Sequence, residues 1–168
     1  RMAEMATGEG KTLALALAAA VAALAGVPVH LVTANEYLAA RDAQKMAPLY
    51  AALGLRVAAL PASTGAADDA ARRAAYGHDI VYATAKALAF DFLRDRHAQA
   101  QTHAFERCAA ALGGQAAPPP LLRGLCMALL DEADSILLDE ADVPLILSRS
   151  VPQAARRAFL WQALALAR

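Results

Sequence analysis

A chain of 168 residues with 16 basic and 16 acidic side chains, and so a formal net charge of zero, fits one globular domain and carries no basic excess of the kind a nucleic-acid partner selects. Its two cysteines, Cys108 and Cys126, have neither metal-type spacing nor the density of a disulfide framework, which suits a reducing compartment. Aromatic residues are only 5% of the chain, and much of the 58% apolar fraction is alanine, which adds helix propensity more than core volume.

The first informative segment is Thr7-Gly8-Glu9-Gly10-Lys11-Thr12. Glycines let backbone N–H groups turn inward around phosphate oxygens, Lys11 can reach the terminal phosphates, and the Thr12 hydroxyl can ligate Mg²⁺. Met5 stands where the strict G-x-x-x-x-G-K-[ST] pattern has a small residue, a change that the Thr-Gly-x-Gly-Lys-Thr form of helicase-like motor ATPases tolerates. Taken alone, the segment also reads as a solvated glycine-lysine turn. Residues 13–25 are uncharged and apolar, and Ala18-Ala19-Ala20 imitates a signal-peptide cleavage site, but Glu4 and Glu9 are acidic where such a leader is basic. Bounded by Gly26 and Pro28, the stretch is too short to span a bilayer. The expectation is the helix that a phosphate loop feeds, buried on most sides, with its N-terminus aimed at the phosphates.

Strand and helix then alternate. A strand at 29–33 precedes Asn35, an N-cap for a helix over 36–53 that Gly54 stops. Further strands are expected at 55–60 and 79–84, helices at about 68–76 and 88–95, and a loop at 61–65. The pattern weakens after residue 98. Residues 109–120, with a Gly-Gly pair and three consecutive prolines, read as an exposed loop or linker. The apolar run 125–130 reads as a buried strand, with Cys126 as a small core residue. It delivers Asp131-Glu132-Ala133-Asp134 at its C-terminal end, where a parallel α/β sheet places its ligand chemistry. The same acids could instead open a helix over 134–139, since carboxylates stabilise first turns. The two motifs together describe one Mg²⁺–nucleoside triphosphate site on a mainly parallel sheet with helices on both faces. A tail over 154–168 reads as a helix with Leu160, Trp161 and Leu164 available for burial.

Several of these runs resemble one family. Met5 to Thr12, then Val32-Thr33-Ala34-Asn35-Glu36-Tyr37-Leu38-Ala39-Ala40-Arg41-Asp42, look like the first two nucleotide-domain motifs of SecA, the preprotein translocase ATPase. The likeness continues through Met46-Ala47-Pro48-Leu49-Tyr50, Asp79-Ile80-Val81-Tyr82-Ala83-Thr84 and Phe90-Asp91-Phe92-Leu93-Arg94-Asp95. It is most specific in the run from Leu130 to Ala141 and covers about residues 2–148. The resemblance implies a three-layer RecA-like P-loop NTPase domain over 1–150, truncated at its N-terminal adenine-reading side, and a helical tail over 151–168. It implies ATP and Mg²⁺ as cofactors: Thr7, Gly8, Glu9, Gly10, Lys11 and Thr12 on the nucleotide, Thr12 and Asp131 on the metal, and Glu132 orienting or deprotonating the attacking water beside Lys11. It also implies a second RecA-like domain elsewhere, unfolded preprotein, a SecYEG-type channel and anionic inner-membrane lipid as partners, and a cytoplasmic, membrane-peripheral location. Without the second domain's arginine fingers, this chain alone is expected to bind ATP with little hydrolysis.

Arg41, Asp42, Arg94 and Asp95 resemble positions that couple nucleotide state to the rest of the motor; the plainer reading is solvated helix-end ion pairs. Ala85-Lys86-Ala87 stands where the family has Asn-Asn-Glu, and Ala141-Asp142-Val143-Pro144 where it has Ala-Arg-Thr-Pro, as in a diverged paralogue. Because Asp-Glu-Ala-Asp is also a helicase signature, a nucleic-acid helicase domain of the same fold is the alternative.

Overall fold

The apolar segments become four parallel strands: β1 (Val29–Thr33), β2 (Val57–Ala59), β3 (Ile80–Thr84) and β4 (Met127–Leu130). They form one sheet in the order β2-β3-β1-β4 in the computed structural model, which describes residues 2–6, 8–61, 69–101, 120–144 and 154–166. β1 runs in register with β3 from Val29 opposite Ile80 to Thr33 opposite Thr84, and with β4 from Val29 opposite Met127 to Val32 opposite Leu130. Every β1 residue is buried, as a central parallel strand covered on both faces requires.

The helices are α1 (Lys11–Leu24), α2 (Glu36–Ala52), α3 (Asp69–Tyr76), α4 (Ala85–Gln101) and α5 (Ala154–Leu166), with a π-helical turn at Ser135–Asp139. The two-residue period of the strands sorts them into layers. Val29, Leu31, Ile80 and Tyr82 pack against the alanine stripe of α1 (Ala16, Ala19, Ala20, Ala23) and against Ala39, Ala43, Met46 and Tyr50 of α2. On the opposite face, Val81 and Ala83 pack with Ala75 and Tyr76 of α3, with Leu121 and Leu122, and with Ala87 and Leu88 of α4. The result is the parallel sheet with helices on both faces expected from the alternation, consistent with the RecA-like α/β domain that the resemblance implies.

Local chemistry explains where elements stop. Asn35 caps α2, its Oδ1 accepting the Leu38 N–H at 2.8 Å. Gly54, at φ +71°, ends it: the Leu55 N–H reaches back to the Tyr50 carbonyl and the Gly54 N–H to that of Ala51. Leu55 therefore belongs to the helix stop, and β2 is shorter than the expected 55–60. α4 is longer than expected at both ends. The Thr84 hydroxyl, still in β3, accepts the Ala87 N–H at 3.2 Å and starts the helix without an intervening loop.

Other expectations are corrected. α1 is buried on one face only: Leu13, Leu17, Val21 and Leu24 form an outer stripe 48–71% exposed, because small alanines on the inner face bring the helix close to the sheet. The strand expected at 125–130 begins at Met127 and is half-buried, since among the described strands it pairs on one side only. Leu125 and Cys126 precede it and are exposed, so Cys126 is not a core residue. The helix expected at 134–139 is the π-helical turn, with Leu137 and Leu138 exposed. The expected loop at 61–65 and linker at 109–120 lie almost wholly outside the described residues.

Of the four residues read as solvated helix-end ion pairs, Asp42 is buried and Arg94 and Asp95 are partly buried, while the Arg41 side chain stays 50% exposed. Asp95 Oδ1 and Oδ2 accept the N–H groups of Leu121 and Leu122 at 2.8 and 2.9 Å. Arg94 bonds Asp69 at 3.1 Å. Beneath them, Arg72 is fully buried: its Nε and Nη2 donate to the Asp91 carboxylate at 2.7–3.1 Å and its Nη1 to the Pro61 carbonyl at 2.8 Å. Tyr76 donates its hydroxyl to the same carboxylate at 2.7 Å, and burial, reinforced by that hydrogen bond, pushes its pKa far above the usual phenol value. Removing one member leaves an uncompensated buried charge. Arg72→Leu is expected to destabilise the chain by about 3–5 kcal/mol in urea unfolding. The double variant Arg72→Leu/Asp91→Leu should recover most of that loss.

His30 sits in the middle of the sheet, 5% exposed, edge-on to Tyr76 at 5.9 Å. Burial, and then the charge of Arg123, hold its pKa below the ordinary 6.5 against a backbone hydrogen bond with Met127. The folded chain therefore binds this proton less well than the unfolded chain. The stability attached to neutral His30 is complete above the unfolded value and is lost as pH falls below it toward the folded pKa. Urea midpoints measured from about pH 7 to about pH 5 should fall, and His30→Gln should flatten that slope.

Candidate functional site

The segment before α1 is shaped by glycine. Gly8 and Gly10 hold φ of +90° and +80°, and a Cβ added at either meets nothing within 4 Å, so the demand for glycine is one of backbone conformation rather than space. Gly10 is the N-cap of α1, and its carbonyl takes the N–H groups of Leu13 and Ala14 at 3.0 and 3.1 Å. No side chain caps the helix, and the N–H groups of Lys11 and Thr12 have no protein partner among the described residues. Free N–H groups at the positive end of a helix dipole form an anion seat. Glu9 serves the loop itself, its carboxylate accepting the Ala6 N–H at 2.9 Å. Thr7 lies outside the described residues.

The opposite wall comes from β4. The Asp131 N–H donates to the Val32 carbonyl at 2.8 Å, extending the β1–β4 ladder by one bond beyond the strand. Glu132 then adopts φ +57°, a left-handed backbone that costs a non-glycine residue about 1–2 kcal/mol. Consecutive strand residues point to opposite faces, so two neighbouring carboxylates reach one cleft only if the backbone turns between them. The left-handed turn at Glu132 does this.

Gly8, Gly10, Lys11, Thr12, Asp131 and Glu132 thus line one open cleft of about 480 Å³, together with Leu38, Arg41 and Asp42 of α2. The volume lies within the range of small-molecule sites. Glu9, predicted on the nucleotide, is not among these residues. Leu38, Arg41 and Asp42 were not predicted as lining. The available signal was that Arg41 and Asp42 follow Leu38 by three and four residues, which places them on one helix face. Arg41 donates from Nε to Oδ1 of Asp42 at 2.8 Å, its Nη2 forms an ion pair with the same oxygen at 2.8 Å, and Asp42 is only 4% exposed. Below them the Tyr82 hydroxyl meets that of Tyr50 at 3.0 Å. Burial first, then the Tyr50 hydrogen bond and the charges of Tyr50, Asp42 and Asp131, push the Tyr82 pKa far up.

Among the described residues no three His, Cys, Asp or Glu side chains form a self-sufficient metal cage. The Thr12 hydroxyl and the Asp131 carboxylate offer the hard oxygen donors that suit Mg²⁺, which is usually held by one or two protein oxygens with phosphate oxygens and water completing its shell. Beside the cleft lies a second concavity lined by Ala34, Asn35, Glu36, Tyr37, Thr84, Lys86 and Glu140. Of Ala85-Lys86-Ala87, in the first turn of α4, Lys86 falls on its wall, whereas Ala87 packs against the core.

Residues 1–167 match the SecA DEAD-like domain. The chain is similar to protein translocase subunit SecA 2 of Bordetella avium (strain 197N), with 50% identity over 169 residues that cover 99% of the chain and 25% of that protein. It is 46% identical over 170 residues to protein translocase subunit SecA 3 of Magnetococcus marinus, covering 98% of the chain and 25% of the relative. Protein translocase subunit SecA of Mycobacterium avium (strain 104) is 48% identical over 134 residues, 80% of the chain and 15% of the relative. The chain thus spans a quarter or less of the length of these relatives.

The backbone at Glu132 yields a test independent of any ligand. Glu132→Gly should stabilise the chain by about 1 kcal/mol relative to Glu132→Ala, because glycine alone adopts this φ without strain. Equal urea midpoints for the two variants would remove the strain at this position.

Proposed function

This chain belongs to the SecA family as its DEAD-like domain, and on that premise we propose that it binds Mg²⁺-ATP in the cleft between the phosphate loop and β4, as the nucleotide-binding part of a protein-translocation ATPase. The observation that carries the reading is the convergence of Lys11 and Thr12, near the start of the chain, with Asp131 and Glu132, near its end, on one cleft. A glycine loop, a lysine, a hydroxyl and two carboxylates are the parts that phosphoryl transfer needs, since that chemistry is mostly positioning and neutralisation of oxygen charge.

In this reading the N–H groups of Lys11 and Thr12 bind phosphate oxygens and the Lys11 ammonium reaches the β- and γ-phosphates, with Gly8, Gly10 and the segment through Thr7 and Glu9 shaping the loop. Thr12 and Asp131 would hold Mg²⁺, Asp131 through water, and the ion when bound supplies charge neutralisation at the terminal phosphates. The Glu132 carboxylate, presented by its left-handed backbone, orients the attacking water or takes its proton. An arginine finger is worth about 10³–10⁵ in rate. We place that group in the larger part of the full-length relatives, so this chain alone should bind nucleotide with little turnover.

By the same reasoning the partners of the intact motor are unfolded preprotein, a SecYEG-type channel and anionic lipid at the inner face of the cell membrane. Among the described residues no helix is long and apolar enough to cross a membrane. The family match over nearly the whole chain supports translocation over the helicase reading of the Asp-Glu-Ala-Asp tetrad.

Calorimetric titration with Mg²⁺-ATP tests the site. Lys11→Ala should weaken binding by about 2–3 kcal/mol, roughly two orders of magnitude, while Glu132→Gln should bind like the parent chain. Equal affinity of the parent chain and Lys11→Ala would overturn the assignment of this cleft.

A further inference from the structure

Two cations line the cleft, and the reading above uses one of them. Lys11 belongs to the phosphate loop; Arg41 stands on the α2 wall. We propose that Arg41 contacts the terminal phosphate of the bound nucleotide and makes the site discriminate triphosphate from diphosphate. This rests on the cleft being a nucleotide site and goes beyond it, because it gives the γ-phosphate, which only the triphosphate carries, a second cation on the α2 wall.

The geometry is that of a held guanidinium. Arg41 engages Asp42 side-on, Nε and Nη2 both meeting Oδ1 at 2.8 Å. A guanidinium carries five N–H donors in a rigid plane. The hydrogen bond to Asp42 uses the Nε donor, Nη2 lies in ion-pair contact with the same oxygen, and the Nη1 group has no protein partner among the described residues. Exposure divides the same way: the Asp42 side chain is 5% exposed and that of Arg41 is 50% exposed. A carboxylate sunk in the packed face of α2 thus fixes one edge of the guanidinium and leaves donors available at the cleft wall. Such an edge matches the oxygens of a phosphate, and holding it in advance lowers the ordering cost of binding.

Charge selects the ligand. The cleft is lined by three carboxylates, Asp42, Asp131 and Glu132, against the two cations. The Asp42 hydrogen bond pushes the Arg41 pKa up, and the charge of Asp131 adds to it, so Arg41 lies within electrostatic reach of the proposed metal-side carboxylate. The γ-phosphate is the part of the nucleotide that a lysine in the loop and an arginine on the facing helix can share. A diphosphate lacks that group.

The test compares two ligands on one protein. The 168-residue chain is titrated by calorimetry, with Mg²⁺ present, against the hydrolysis-resistant β,γ-imido analogue of ATP and against ADP, for the parent chain, Arg41→Gln, Arg41→Lys and Lys11→Ala. Arg41→Gln should lose about tenfold to a hundredfold in affinity for the triphosphate analogue and less than about twofold for ADP, with Arg41→Lys between it and the parent. Lys11→Ala should lose both ligands. If Arg41→Gln leaves the ratio of triphosphate to diphosphate affinity unchanged, whether or not its melting temperature falls, the Arg41–Asp42 pair is a surface ion pair only and the proposal is wrong. If the parent chain binds neither ligand, the nucleotide reading of the cleft fails and this inference falls with it.

Discussion

The pairing of β4 with β1 is the constraint on which the site depends. Asp131 and Glu132 sit where they do because the last ladder bond, from the Asp131 N–H to the Val32 carbonyl, fixes the end of β4 beside the end of β1. Within the described sheet β4 is an edge strand, so this register cannot be enforced from both sides. The segment leading into β4 is fastened instead. Asp95 grips the N–H groups of Leu121 and Leu122, those two leucines bury against Val81 and Ala83, and the Arg123 guanidinium donates to the His78 carbonyl. A carboxylate far from the cleft thus helps set the register of the two carboxylates within it.

That dependence on specific polar contacts follows from the composition. Eight of the twenty buried apolar residues described are alanine, and where helix packs on sheet through alanine alone, packing specifies the relative placement of elements loosely. The chain meets this with a few buried polar pairs. Three of its four tyrosines are buried, and each hydroxyl has a partner: Tyr50 with Tyr82, and Tyr76 with Asp91. Arg72 and Asp91 join α3 to α4, with the Pro61 carbonyl closing the guanidinium's shell. No buried side-chain nitrogen or oxygen among the described residues lacks a partner. Such contacts are directional, so they select one arrangement where alanine against alanine would accept several.

Much of this was legible in the sequence because it rests on local chemistry. β1, the Asn35 cap and the Gly54 stop depend on residues within one turn of one another, and they fall where the composition places them. The features that were not legible depend on partners distant in the chain, or on backbone states that side-chain types do not announce. The exposure of Cys126 follows from β4 beginning two residues later than expected, at Met127 on the edge of the described sheet, which no property of the 125–130 run reveals. The π-helical turn at Ser135–Asp139 has the composition of an ordinary helix. Glu132 is the clearest case: an acidic residue after a strand reads the same whether its φ is negative or +57°, yet the sign decides whether its carboxylate shares a cleft with that of Asp131.

The first turns of α2 connect these elements to the rest of the surface. Glu36 and Tyr37 line the second concavity, whereas Leu38, Arg41 and Asp42 line the phosphate cleft, so one helix start forms a wall of both. It is held by a single cap at Asn35, which itself lines the second concavity, and by the burial of Asp42 below. Thr84, at the end of β3, and Glu140, just past the π-helical turn that follows Glu132, complete that second surface. A helix is stiff over its first turns because its hydrogen bonds are shared between neighbours. The two concavities thus lie one helical turn apart along α2, and Lys86 of α4 lines the second of them.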